Sequence, residues 1–507
     1  MRVTNSMVFG NSLNNIWRNA RHLNGIIQSI ETTKRTQRPS DDPMLASRSL
    51  RYRTILSETE QFLRNSDQGM AWMDVTEASF HNILTGNTTE PSLMQRIYER
   101  LVVAAQTGTN TIEDQRAAIE YIRQQFEQLF RVEMNQTYMG RYVFSGFHTN
   151  QPPVLKNNWP GREFVIQQTF NAQDIERTRA LERNFADPTQ LPDKIDVNII
   201  KLPFTNVNLT DGAGLPGTVP PIGFFAPDGT PLTAPDGSPL VIREFDSRTD
   251  MGAYRILDPA DPDFADIHFI HDTGEIVISD RLRDSFPDGV VIRYIASDLQ
   301  EGDLNPIVYF PSWELTPGVG DGYTHFNTAG QNIQLEISPN VYITINTHAR
   351  NTLTDKMFAD FRNLLQFVDS LQASDPQLLR EHFSGPPHHL ADDDLNNAVD
   401  YYLSRENAMF VSAIHDRLNN MLELHARHTG TAQRAHTGLG SRMARMEMVQ
   451  IRLEEDENAY TTLLSENEDT DLEAAIMRRN SAQTAMQNAL RAVAMTSQLS
   501  LADFINR

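Results

Sequence analysis

Apolar residues near the N-terminus recur in alternating steps of four and three: Phe9, Leu13, Ile16, Ala20, Leu23, Ile27 and Ile30. This spacing predicts a helix with one apolar seam, sustained over about three heptads. The same period runs almost to the end of the chain, through Leu472, Ala475, Arg479, Ala482, Met486, Ala489, Val493 and Thr496. A longer stripe joins Val411, Ile414, Leu418, Met421, His425, His428, Ala432, Ala435, Leu439, Arg442, Met446, Val449 and Leu453. Ser40-Asp41-Asp42-Pro43 places polar caps ahead of a proline suited to the first helical turn, so a second helix is predicted from there. Further helices are predicted over about 91–106 and 112–139, the latter with Ile119, Ile122, Phe126 and Leu129 in register.

The middle of the chain changes period. Val290-Val291-Ile292-Arg293-Tyr294-Ile295, Ile333-Gln334-Leu335-Glu336-Ile337 and Val341-Tyr342-Ile343-Thr344-Ile345 read as strands. Asp228-Gly229, Asp236-Gly237 and Asp288-Gly289 read as turns, and Pro227–Leu232 recurs as Pro235–Leu240, two neighbouring turns of one design. Twenty of the 26 prolines fall within 151–350, so long helices belong to the flanks and not to the centre. The fold class is therefore α+β and multidomain. The N- and C-terminal flanks form a long helical bundle or coiled coil around a central β-rich outer domain.

Charge sharpens the reading of the ends. Residues 1–30 carry only Arg2, Arg18 and Arg21 as charges, although the whole chain of 507 residues has a formal charge of −22. A single helix cannot bury its own stripe, and hydrogen bonding alone barely offsets nucleation. The two ends must pair with each other or with other copies to be ordered. Either they close one helical domain, or they polymerise through terminal coiled coils that are disordered before assembly. The acidic balance argues against nucleic acid and anionic membranes as partners. No apolar run approaches the ~18–20 residues of a membrane span, and polar residues interrupt the N-terminus where a cleaved signal peptide would need an apolar core. With no cysteine, the chain has no disulfide, thiol nucleophile or thiolate metal site.

Candidate chemistry is sparse. His425 and His428 share a helix face at metal-ligand spacing, but both lie in the apolar stripe and lack the glutamate of a zinc-protease helix, so a polar layer is expected. His388-His389 reads as an exposed loop. Asp258, Asp261, Asp263 and Asp266 lack the alternation, glycine and terminal glutamate of a calcium loop. Gly318-Val319-Gly320-Asp321-Gly322 lacks a phosphate-loop lysine and reads as a turn. Arg442, Arg445 and Arg452 near Glu447, Glu454 and Glu455 suggest interhelical ion pairs. No metal, cofactor or catalytic residue is assigned, and an enzyme is not expected.

Several short motifs sit in order at the two ends. Lys34-Arg35 is followed by Arg38-Pro39-Ser40-Asp41-Asp42-Pro43, and Gly140-Arg141-Tyr142-Val143-Phe144-Ser145-Gly146 closes the N-terminal flank. Gly438-Leu439-Gly440-Ser441-Arg442 lies in the long C-terminal stripe, with Glu468–Ala475 and Gln498–Ile505 beyond it. In these residues, over about 1–150 and 405–507, the sequence resembles the flagellin family, and within it the branch at the junction of flagellar hook and filament. Thr33 departs from the family, which usually has glycine before the lysine–arginine pair. The segment from about 374 to 394 looks like an insertion.

The resemblance implies a non-enzymatic structural component, extracellular at the hook–filament junction and exported without a cleaved signal peptide. It implies assembly in a ring or tube of identical copies, with a neighbouring hook-associated protein, flagellin and an export chaperone as partners. It also implies an axial coiled-coil segment at 1–42, tube helices within 43–150 and 351–460, an outer domain at 151–350 and a second axial segment at 461–507. A flagellin-type filament subunit is one alternative. A secreted surface protein whose centre is a carbohydrate-binding adhesin or enzyme is another.

Overall fold

The structure is a computed structural model that describes residues 5–87, 89–106, 111–182, 191–209, 219–315, 323–386 and 388–505. Its helices are α1 (Asn5–Glu31), α2 (Pro43–Phe80), α3 (Leu93–Ala104), α4 (Ile112–Glu127), α5 (Asp280–Asp284), α6 (Pro306–Tyr309), α7 (Ala349–Thr352), α8 (Asp355–Ser370), α9 (Pro376–Ser384), α10 (Asp392–Glu468) and α11 (Leu472–Ile505). Two compact units divide the chain. One gathers Met1–Gln68, Glu336–Tyr342 and Arg445–Arg507, and the other gathers Gly69–Leu335 and Ile343–Ala444.

In the first unit α1 packs along α11. Asp42 caps α2 by accepting from the backbone N–H of Met44 (3.0 Å) and Leu45 (3.1 Å), with Pro43 at the first helical position. The cap expected from Ser40–Pro43 is thus the start of α2. Tyr52 and Tyr460 meet with ring centroids 6.3 Å apart.

The second unit holds two main sheets. The strands are β1 (Thr137–Tyr138), β2 (Arg141–Tyr142), β3 (Trp159–Phe170), β4 (Glu176–Glu182), β5 (Asp193–Lys201), β6 (Val207–Asn208), β7 (Gly223–Phe225), β8 (Ile242–Phe245), β9 (Ile267–Ile270), β10 (Glu275–Ile278), β11 (Val290–Leu299), β12 (Ser312–Leu315) and β13 (Tyr323–Phe326). Beyond them β14 (Gln334–Ser338) and β15 (Val341–Thr344) form a separate hairpin. One sheet runs β4-β5-β10-β9-β8, antiparallel except where β8 lies parallel to β9. The other runs β13-β12-β3-β11-β6, with β7 also on β11, and is antiparallel throughout. The three predicted strands are β11, β14 and β15. The duplicated proline turns are built alike: Asp228 accepts from Thr230 N–H (3.0 Å) and Asp236 from Ser238 N–H (2.9 Å).

Helix α8 begins at an N-cap threonine, Thr354, and turns Met357, Phe358, Phe361, Leu364, Leu365 and Val368 inward against α4 and β5. Phe126, Phe130, Phe358 and Phe361 form its aromatic core, with centroids 4.8–5.5 Å apart. The helix expected over 112–139 is shorter. α4 stops at Glu127, a π-helical turn carries the chain to Glu133, and the β1–β2 hairpin follows. Asn135 is the physical reason. Its side chain donates to Val154 O (3.0 Å) and accepts from Val154 N–H (3.1 Å), which pins the backbone to a distant segment.

A buried charge network ties the first sheet to the helices. Glu275 of β10 takes Arg248 at 3.0 Å, the Tyr254 hydroxyl, Thr273 Oγ1 at 3.1 Å and Asn363 Nδ2 at 2.6 Å. Lys201 of β5 meets Glu176 and, at 3.2 Å, Asp360 of α8, whose other oxygen receives His428 of α10 at 2.8 Å. Among the described residues no helix is long and apolar enough to cross a membrane.

Candidate assembly surface

The first unit contains the residues that the N- and C-terminal stripes single out. Ile16, Ala20, Leu23, Ile27 and Ile30 of α1 are half-buried, as are Ala482, Met486, Ala489 and Val493 of α11, and Ala475 is buried. Leu13 and Leu472 are 39% and 47% exposed, so the ends of the two seams are open. Phe9 lies within α1, at a position where only the backbone is described. The outward sides carry further apolar residues that the stripe does not include. Met7, Trp17, Met477 and Met495 are each 63–65% exposed, and Ile476 and Leu490 join them. Isolated exposed apolar residues are ordinary on a soluble protein. Six on one helix pair amount to unpartnered surface.

The two terminal helices are clasped at their hinges. Lys34 and Asp469 pair backbone to backbone, Arg35 N–H donates to Glu468 O (2.8 Å), and Thr470 N–H donates to Thr33 O (2.8 Å). Lys34 Nζ reaches Asp469 Oδ1 (2.7 Å) and Glu468 Oε2 (3.1 Å). Arg53 grips Glu468 with two hydrogen bonds (3.0 and 2.7 Å), and Arg35 Nε donates to Asp469 O (2.8 Å). These hydrogen bonds from Arg53 and Lys34 hold the Glu468 carboxyl below its usual range despite some burial. The Lys34-Arg35 motif is thus joined to Asp469, 435 and 434 positions later. Pro39 and Ser40 lie in the turn closed by Asp41, whose carboxylate accepts from Arg38 N–H (3.0 Å).

Thr33 has φ +58°, the left-handed region that glycine adopts without cost. The expected glycine position is therefore a real conformational requirement that threonine meets with strain. Thr33→Gly is expected to raise the unfolding free energy of this unit by up to ~1 kcal/mol, relief of strain outweighing chain entropy. Calorimetric unfolding of the full chain checks this, and a fall in stability would contradict it.

The second motif lies in the other unit. Met139 (φ +49°) and Gly140 (φ +76°) form the two-residue turn of the β1–β2 hairpin. The Tyr142 ring lies 5.0 Å from Lys156 Nζ. Phe144 is fully buried, edge-on to Phe80 at 6.1 Å, and its carbonyl accepts from Ala349 N–H (2.9 Å). Gly146 sits at φ +61°, where an added Cβ would stand 2.3 Å from Gln331 Oε1 and 3.0 Å from the His348 ring. Gly146→Ala should therefore cost ~1–2 kcal/mol in a urea melt; an unchanged midpoint would refute the close approach. Arg442 is half-buried and gives its donors to Thr344 O (3.1 Å), Asn346 O (2.7 Å) and Thr347 Oγ1 (2.7 Å). It fastens the chain after β15 to α10. Among the described residues Arg442 makes no ion pair with Glu447, Glu454 or Glu455, because four carbonyl and hydroxyl oxygens, Gly438 O included (3.1 Å), already occupy its guanidinium. Gly440 has nothing within 4 Å of where a Cβ would be, so its own chain does not require it.

Residues 3–149 match the bacterial flagellin N-terminal helical region. Flagellar hook-associated protein 3 of Salmonella typhimurium (strain LT2) is 25% identical over 180 residues, covering 34% of this chain and 54% of that protein. The protein of the same name from Escherichia coli (strain K12) is 26% identical over 176 residues, covering 34% of this chain and 52% of that protein. The chain spans about half the length of the curated relatives it matches. The similarity is thus to the flagellin N-terminal region over residues 3–149 and, at about a quarter identity, to proteins named flagellar hook-associated protein 3.

The remaining candidates resolve into structural roles. His428 bonds Asp360, and buried His425 stacks on Tyr98 at 6.0 Å, with burial first and then neighbouring His428 pushing its pKa down to about 4. Asp266 is buried against Arg281 (2.7 Å), whereas Asp258 and Asp261 accept from the backbone of their own turns. The four aspartates therefore do not converge. Among the described residues no group of three or more His, Asp or Glu could hold a metal ion. His388 stands 5.4 Å from His382, ring to ring. Gly318–Gly322 lies outside the described residues.

Proposed function

We propose that this protein is a structural adaptor at the junction of the flagellar hook and filament, transmitting torque and supporting filament assembly. The names of the two relatives support the place. The observation that carries the mechanism is the apolar surface on the outward sides of α1 and α11, Trp17 and Met477 foremost. That surface fits further copies arranged in a ring or tube, with a neighbouring hook-associated protein on one side and flagellin on the other. Residues 1–42 and 461–507 would form the axial layer, 43–150 and 351–460 the surrounding tube, and 151–350 the outer domain. In this reading the chain leaves the cell unfolded through the flagellar export channel, without a cleaved signal peptide, attended by a chaperone. No catalytic step belongs to the role.

Immunolabelling of intact flagella tests it. The expected result is a single spot between hook and filament. Label along the whole filament would replace this reading with that of a filament subunit, which the flagellin-type N-terminal match also suits.

A further inference from the structure

Beside the charge network of the first sheet lies a cavity of about 420 Å³. Its interior is lined by Arg248 and Arg417, by the Tyr254 ring, and by Phe367, Phe410 and Leu371. Arg417 is only 4% exposed. Its guanidinium lies 4.7 Å from the centre of the Phe367 ring and donates through Nη1 to Asn363 (2.9 Å), whereas its buried Nε has no partner. Arg248 is better served, by Glu275 and by the Tyr254 hydroxyl. Glu275 is in turn fully engaged by Arg248, Tyr254, Thr273 and Asn363, so it offers Arg417 no direct hydrogen bond.

The carboxylates at the rim are also engaged. Glu182 accepts from Arg255 (3.1 Å) and from Gly252 N–H, and exposed Asp250 accepts from Ser247 N–H (3.0 Å). The buried Arg417 Nε is a donor without an acceptor, which is costly to bury. Phe367, Phe410 and Leu371 supply an apolar part of the lining. The size suits a small ligand with an apolar body.

We propose that this cavity binds a small organic carboxylate, its charged end on Arg417 and its apolar body against Phe367, Phe410 and Leu371. Arg417 supplies planar, charge-assisted donors, and the ring beneath it orients them. The site is independent of assembly through the terminal helices. Isothermal titration of the full-length protein with sodium benzoate tests it, alongside neutral benzamide and, at matched ionic strength, chloride and phosphate.

The expected result is saturable one-to-one benzoate binding with Kd below ~1 mM, benzamide at least tenfold weaker, and no competition from chloride or phosphate. Arg417→Met should abolish binding, measured on protein shown to be folded by circular dichroism, because it removes the charged donors while keeping an apolar stem. Leu371→Trp should abolish it by filling the space, and it decides the matter if Arg417→Met misfolds. No saturation with benzoate, equal binding of benzamide, effective competition by chloride or phosphate, or unchanged binding in folded Arg417→Met or Leu371→Trp would each overturn the proposal.

Discussion

Glu275→Ala is expected to lower the unfolding free energy of the unit that contains the first sheet by ~3–5 kcal/mol. Glu275 is fully buried on β10 and is the carboxylate that Arg248 faces at 3.0 Å. Removing it leaves the Arg248 guanidinium buried without its counter-ion and Asn363 Nδ2 without an acceptor. The cost is therefore that of stranded partners, larger than the net worth of the pair. Replacing both partners, as Glu275→Leu with Arg248→Met, should cost distinctly less than Glu275→Ala alone, because no uncompensated charge remains. Urea unfolding of the single and double variants checks this. A double variant as unstable as the single would mean that packing at β10, and not charge, dominates.

The same group gives a pH signature. Burial alone would push the Glu275 carboxyl up, but Arg248, Arg417 and hydrogen bonds from Tyr254 and Asn363 outweigh it and hold it down to about 2, against 4.5 when unfolded. A depressed carboxyl contributes stability that is fully present above the unfolded value and is lost as pH falls through the folded one. The loss is thus expected between about pH 4.5 and 2, amounting to ~3 kcal/mol at one pKa unit per ~1.4 kcal/mol. In Glu275→Gln this part of the acid sensitivity should vanish.

None of this network could be read along the chain. Arg248, Glu275, Asn363 and Arg417 are separated by 27–169 positions and look like ordinary surface polarity. Only the sheet register and the placement of α8 bring them together, and pairing between strands is set by contacts that no local period encodes. The helical flanks were legible for the opposite reason. The period of α10 is local, and Ile414, Leu418, Met421, His425, His428, Ala432, Leu439, Met446 and Leu453 are all buried on the face that the stripe defines. Periodicity failed at two kinds of place. One was where a single side chain overrode it, as Asn135 does beyond α4. The other was where the exposed side mattered, since a heptad pattern names the seam but is silent about Trp17 or Met477.

That silence leads to the largest functional effect expected, because the seam and the outward face should fail differently. Ile27→Asp puts a carboxylate into the half-buried seam of α1. It should release α1 from α11 in the monomer, seen as trypsin cleavage at Arg18 and Arg21 and a loss of helix by circular dichroism. Trp17→Asp should leave the monomer as helical and as protease-resistant as the parent, because Trp17 is 64% exposed there. If other subunits cover Trp17, each copy loses the ~2–3 kcal/mol of an aromatic burial, about a hundredfold in each subunit contact. In a closed ring every subunit suffers the same loss, so assembly and swimming should both be abolished. Complementation of a deletion strain on swim plates gives the answer: Trp17→Asp cells that swim like the parent would mean that the outward face of α1 is not a subunit interface.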